Sequence, residues 1–209
     1  MITSCFHQAT LLGDAHFVVL SLRPTTFEGM ATYVLLLRGI NVGGNKRVKM
    51  AELKDALSAV GLDNPHTLLQ SGNVVVDSNA DTPALVDIVE TTIESTFGFQ
   101  STVIARSAAE FRSLFAEHPF TSEQIEDPRF AHVGFCRDKP DRDGFEALQE
   151  AHVGPEEMKL IGRELFVYYP EGSGRSKLTN SVIEKHLGTP TTSRNWNTIL
   201  KIAGILEGS

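Results

Sequence analysis

Cysteine is scarce in this chain. Cys5 and Cys136 are the only two, far apart and in no CxxC or Cys/His spacing, so neither a disulfide framework nor a cysteine-built metal site is expected. A reducing cytoplasm suits such a chain, and Cys136, at the end of the apolar run His132 to Cys136, reads as a small buried thiol. Long apolar runs are lacking too: no stretch approaches the ~18 residues of a membrane span. Positive charge is in deficit, with 19 Lys and Arg against 26 Asp and Glu for a net charge of −7. That argues against broad, sequence-independent binding to duplex nucleic acid, which needs a basic face to displace counterions.

Motifs that name a reaction are missing as well. GxSxG, HExxH, GxGxxG and GxxxxGK[ST] do not occur, and His66, His118, His132, His152 and His186 stand singly, without metal-ligand spacing. Neither Glu156-Glu157 nor Asp141-Arg-Asp143 sits where a carboxyl pKa would be raised. No catalytic residue and no cofactor is implied.

What is present is an ordinary globular composition, 41% hydrophobic and 22% charged over 209 residues, enough for one domain or two compact halves. Residues 1–29 show little periodicity, have Phe17 to Leu20 as their only apolar run and lack the cations of a signal peptide. They are expected to form a disordered or weakly docked extension, with Met30 as the functional start.

From Thr32 the pattern alternates. Tyr33 to Leu37 reads as a central strand and Met50 to Val60 as a helix ended by Gly61. His66 to Gln70 and Asn73 to Val76 read as a hairpin around Ser71-Gly72, or as one strand bulged at Gly72. A helix opened by Asp81-Thr-Pro and a strand from Ser101 to Ala105 complete a βαββαβ order, that of ferredoxin-like folds. A short helix, Ala108 to Phe115, and an irregular connector, 116–129, follow. Then the pattern restarts: strand Phe130 to Cys136, helix Phe145 to Ala151, hairpin strands Glu157 to Ile161 and Glu164 to Tyr169, and helix Lys177 to Leu187. The expected fold is α+β, a ferredoxin-like half over 30–115 and a second, smaller α+β half of similar order over 130–209.

Four cations and no carboxylate, Arg38, Lys46, Arg47 and Lys49, surround Gly39, Gly43 and Gly44 in the loop after the first strand. Backbone N–H groups and positive charge converge there as in an anion-binding loop; equally, the glycines make a turn and the lysines are solvated. Arg38 ends an apolar strand, so its guanidinium must find an anion, a carboxylate or carbonyls. Gln70-Ser71-Gly72-Asn73 offers amides and a hydroxyl, for a ligand or for the turn itself. Glu171 to Lys177 places glycines and cations before a helix, with Ser176 as its expected N-cap. Near the end, Arg194-Asn195-Trp196 either stacks on a ring and reads its edge, or anchors and caps a final helix from Thr198 to Ile205.

The segments LLLRGINVGGNKRVKMAEL, LLQSGNVVVDS, and SKLTNSVIEKHLG followed by TTSRNWNTILKI resemble the bacterial domain of unknown function 1697 family, from about Thr32 to Ile202. The resemblance implies an α+β fold with a ferredoxin-like part and brings no substrate, reaction or catalytic residue.

The leading expectation is a polar cleft built from Arg38, Asn41, Gly43, Gly44, Lys46, Arg47, Ser71, Asn73, Arg194, Asn195 and Trp196. Its ligand would be a phosphate-bearing small molecule, a nucleotide or a short single-stranded nucleic acid. The rivals are an enzyme acting on a nucleotide or phosphoester without a covalent nucleophile, and a structural or protein-interaction module in which Arg38 is already paired.

Overall fold

The computed structural model describes residues 29–44 and 46–208; the expected extension lies, but for Gly29, outside them. The first half runs β1 (Ala31–Leu37), α1 (Met50–Ala59), β2 (Asp63–Leu68), β3 (Asn73–Ser78), α2 (Thr82–Phe97), β4 (Val103–Ser107), α3 (Ala108–Glu117). The second runs β5 (Ala131–Cys136), α4 (Arg142–Ala151), β6 (Glu157–Ile161), β7 (Glu164–Tyr168), α5 (Asn180–Leu187), β8 (Thr191–Asn195), α6 (Trp196–Glu207). Each half forms one four-stranded antiparallel sheet, ordered β2-β3-β1-β4 and β6-β7-β5-β8. The fold is α+β, and the same element order occurs twice.

Alternation along the strands sets the layers. Leu35 and Leu37 of β1, with Val74, Val76 and Val103, face α1 and α2. Val34 and Leu36 face the other way, into a layer filled by Phe111 and Leu114 of α3 and Trp196, Ile199 and Ile202 of α6. Ala131, Val133 and Phe135 of β5 close that layer from the second sheet, with Phe111 stacked on Phe135 at 6.0 Å. Cys136, Leu165 and Val167 point outward onto Leu148 of α4 and Ile183 of α5. The two sheets thus share one apolar filling, and a buried leucine or phenylalanine in it contributes roughly 1.5–3 kcal/mol.

Three expectations change. Residues 191–195, for which the sequence pattern indicates no strand, form β8 beside β5; three hydroxyl side chains hide the strand, because an edge strand needs no continuous apolar run. The helix expected from Lys177 begins at Asn180 under a Thr179 N-cap, while Ser176 accepts from the Leu178 N–H in the preceding loop. The final helix starts at Trp196, two residues earlier than its periodicity indicates, with Asn195 as its cap.

Candidate functional site

The three motif segments do meet in space, and Arg194 is what joins them. This arginine is buried (6% exposed) on the inward face of β8. Its Nη2 donates to the carbonyls of Leu37, Ser71 and Gly72 at 2.9, 2.9 and 3.1 Å. Its Nε donates to Asn73 Oδ1, and Nη1 donates to Thr192 Oγ1 and the Ser193 carbonyl. Asn73, equally buried, turns its Nδ2 to the Leu68 carbonyl and Ser71 Oγ. Burial alone pulls the Arg194 pKa down to about 10, which leaves it cationic at neutral pH but surrounded by neutral acceptors. Gly72 is required here: at φ +77° a Cβ would lie 2.7 Å from Ile40 Cδ1 and 2.8 Å from Leu37 Cβ, so any side chain would wedge the turn off β1.

Arg38 also has its partner. Nε and Nη2 donate to the two carboxylate oxygens of Glu184 on α5 at 2.5 and 2.6 Å, a bidentate pair that raises the arginine pKa. Of the partners that its strand-end position requires, the guanidinium thus has a carboxylate within the fold, and it is not free for a ligand in the cleft. Trp196, 3% exposed, packs against Phe115, His118 and Phe120 at ring distances of 5.1–5.8 Å, so its faces are taken up by core. Asn195 accepts from the Thr198 N–H and hydroxyl as helix cap.

The rest of the first motif stays at the surface. Asn41 fastens its loop, donating to the Val48 and Gln70 carbonyls and accepting from the Val48 N–H. Lys46 donates to the Gln100 carbonyl at 2.8 Å and lies 5.7 Å from the Phe99 ring centroid. Lys49 pairs with Glu52. Gly43 and Gly44 turn at φ +62° and +81°, which glycine adopts freely. Arg47 is the one cation of this loop without a protein partner among the described residues. It stands in a cleft of about 810 Å³ lined also by Asn41, Gly44, Lys49, Met50, Ala51, Glu52 and Gln70. The first turn of α1, which carries Glu52, forms one wall, and no side chain caps that helix. Ser71 and Gln70 border the same end of the sheet.

Residues outside the sequence motifs complete the arrangement. Arg106 of β4 is 1% exposed and donates through Nε to Glu164 at 2.7 Å, through Nη2 to the Cys136 carbonyl at 2.7 Å, and through Nη1 to the Ala105 carbonyl. Arg137 pairs with Glu90 at 3.3 Å. Glu90 and Glu184 each also accept a strand N–H, from Val103 and Thr191. The signal was the repeat itself: Arg38 and Arg137 each follow a central strand, and Arg106 and Arg194 each stand just before a helix cap. Among the described residues no group of three or more His, Cys, Asp or Glu side chains is placed to hold a metal ion, and no helix is long and apolar enough to cross a membrane.

None of the curated proteins matches the chain. Among the solved structures that resemble it are two of different origin. One, "conserved bacterial protein SP0830 from Streptococcus pneumoniae", is 25% identical with a TM-score of 0.68, over 85% of this chain and 99% of that one. The other, "an Unknown Protein from Galdieria sulphuraria", is 14% identical over 80% and 99%, at a TM-score of 0.26 too low to carry an argument. Residues 30–166 match the family described as "Protein of unknown function (DUF1697)". The chain belongs to the DUF1697 family.

Proposed function

We propose that this protein binds an anionic, phosphate-bearing ligand, a nucleotide-sized molecule or the end of a short single strand, in the cleft between loop 38–49 and turn 69–72. The observation that carries the reading is a difference between the two repeats. Twelve residues, 38–49, join β1 to α1, against five, 137–141, between β5 and α4. In the short version Asp141 caps its helix by accepting from the Asp143 N–H. In the long version the helix start is left open and Arg47 stands beside it. The hairpin turn of the first half is longer as well, 69–72 against 162–163, and Asn41 bonds the two longer loops together. The added chain is gathered at one place, and there it surrounds a cleft.

In this reading Gly43 and Gly44 let the backbone approach the anion, Arg47 pairs with it, Lys46 and Asn41 hold the loop, and Ser71 borders the cleft. Arg38, Asn73, Arg194, Asn195 and Trp196 hold the frame on which the cleft is built. A charge-assisted contact contributes about 1.5–3 kcal/mol net, so Arg47→Ala is expected to weaken binding by roughly ten- to a hundredfold. Native mass spectrometry of protein purified from cells identifies a co-purifying ligand, and isothermal titration with pyrophosphate and a nucleoside monophosphate compares wild type with Arg47→Ala. Equal affinity of the two proteins overturns the reading.

A further inference from the structure

Among the described residues β4 is an edge of the first sheet, paired only with β1. The Arg38 N–H donates to the Thr102 carbonyl, so residues 102, 104 and 106 turn their backbone groups to β1, and Val103 and Ala105 turn theirs outward. Two of these outward groups are satisfied by side chains: the Val103 N–H donates to Glu90, and the Ala105 carbonyl accepts from Arg106 Nη1. The Val103 carbonyl and the Ala105 N–H have no hydrogen-bond partner within the protein among the described residues. Both residues line a groove of about 440 Å³. The second half closes the same place. There Glu184 of α5 holds the Thr191 N–H, and Asn180, one turn earlier on that helix, donates to the Thr191 carbonyl at 2.6 Å. One turn before Glu90 on α2 stands Val86, which has no side-chain donor and lines the groove. The first half thus leaves open a backbone acceptor and donor that its repeat partly plugs, and such groups require a partner.

We infer that this edge takes up an extended peptide that carries one acidic side chain. A carbonyl at one position and an N–H two residues on match a single residue of a strand running parallel to β4. Its N–H donates to the Val103 carbonyl, and its carbonyl accepts from the Ala105 N–H. The side chain of that residue shares the face of Ile104, which packs toward the second half, and from that half Arg137 and Arg163 line the groove. Arg137 uses only Nη1, on Glu90 at 3.3 Å, so its Nε and Nη2 remain for a carboxylate. The two flanking residues fall on the α2 face with Val86. Asp87 of α2 and Asp138, which accepts from the Thr189 hydroxyl, line the groove as well. A single acid between two apolar residues therefore fits the lining best. The backbone pair recognises a peptide bond, so this site is separate from the cleft at Arg47 and does not depend on it.

The probe is acetyl-Val-Glu-Val-amide, titrated against the isotope-labelled full chain by nuclear magnetic resonance. A Kd of about 1 mM or tighter is expected, with a downfield shift of the Ala105 amide proton. The same peptide methylated on its glutamate nitrogen has no N–H for Val103, and acetyl-Val-Lys-Val-amide has no carboxylate; each is expected to bind about tenfold or more weakly. Val86→Asn rebuilds the bond that Asn180 makes in the second half and is expected to weaken the glutamate peptide about tenfold, with the fold verified by circular dichroism. Arg137→Ala is expected to weaken it by a similar factor. No binding to wild type, a methylated or lysine peptide bound as tightly as the parent, or a folded Val86→Asn that binds unchanged overturns the proposal. Should Val86→Asn fail to fold, Arg137→Ala decides, and unchanged affinity overturns it. A dimer in sedimentation that Val86→Asn dissociates makes a second copy the occupant of the edge and overturns the peptide reading too.

Discussion

Arg106 and Arg194 occupy the same position in the two halves and solve it with different chemistry. Each sits on the fourth strand of its sheet, opposite Val34 and Val133 respectively. Each gives Nη2 to the carbonyl of the last residue of the other half's central strand, Cys136 or Leu37. Each gives Nη1 to the carbonyl just before itself, Ala105 or Ser193. Each gives Nε to the side chain that opens the other half's third strand, and there they part: Glu164 is a carboxylate and Asn73 is an amide. The geometry of a guanidinium fork is thus kept while the counter-charge is dropped. Carbonyl acceptors can hold a buried arginine without an ion pair provided enough of them converge, at the cost of the lowered pKa seen for Arg194.

That comparison predicts unequal damage. Arg106→Met leaves the Glu164 carboxylate, whose side chain is 17% exposed, without its cation, so a loss of about 3–5 kcal/mol is expected in urea unfolding, most of it restored by adding Glu164→Leu. A loss below about 1 kcal/mol would show that the counter-charge does not matter there. Arg194→Met strands only neutral acceptors, several of which water can reach once the turn loosens; about 2–3 kcal/mol is expected, with no rescue by an apolar residue at Asn73. Equal losses with equal rescue would erase the distinction between the two forks.

The outer pairs differ in the same sense. Arg38 meets Glu184 through two short bonds, and Arg137 meets Glu90 through one at 3.3 Å. Discounted for their partial exposure, about 1 kcal/mol is expected from Arg38→Ala and under about 0.5 kcal/mol from Arg137→Ala, read as shifts in thermal midpoint. A larger loss from Arg137→Ala would reverse the ranking. The mildest effect concerns Cys136, whose thiol burial pushes up to about 11. In a Cys5→Ser background its reaction with a disulfide reagent at pH 8 is expected to run about a hundredfold slower folded than in urea.

The halves were legible because their periodicity is strong: Leu53 and Leu57, or Val74 and Val76, repeat at the spacing of the element they belong to. The forks were not. An arginine in Thr-Thr-Ser-Arg-Asn reads as surface, and nothing local reveals that its carbonyl acceptors lie more than 120 positions away at Ser71 and Gly72. Four cations in one loop were visible; which of them the fold itself uses depends on Glu184, Gln100 and Glu52, and only the last is a sequence neighbour. The leading expectation put the tryptophan in the cleft, and its burial among Phe115, His118 and Phe120 matches the rival reading as an anchor; a residue just after a helix cap is turned toward the core as readily as toward a ligand.

The last helix lies across the first half. Ile199 and Ile202 of α6 complete the face of the sheet to which Val34 and Val75 belong, so a segment of the second half seals a sheet of the first. Within the first half itself that face is covered by α3 alone, whereas α1 and α2 cover the other. Removal of α6 would therefore be felt at β1 and β3, more than a hundred positions earlier in the chain.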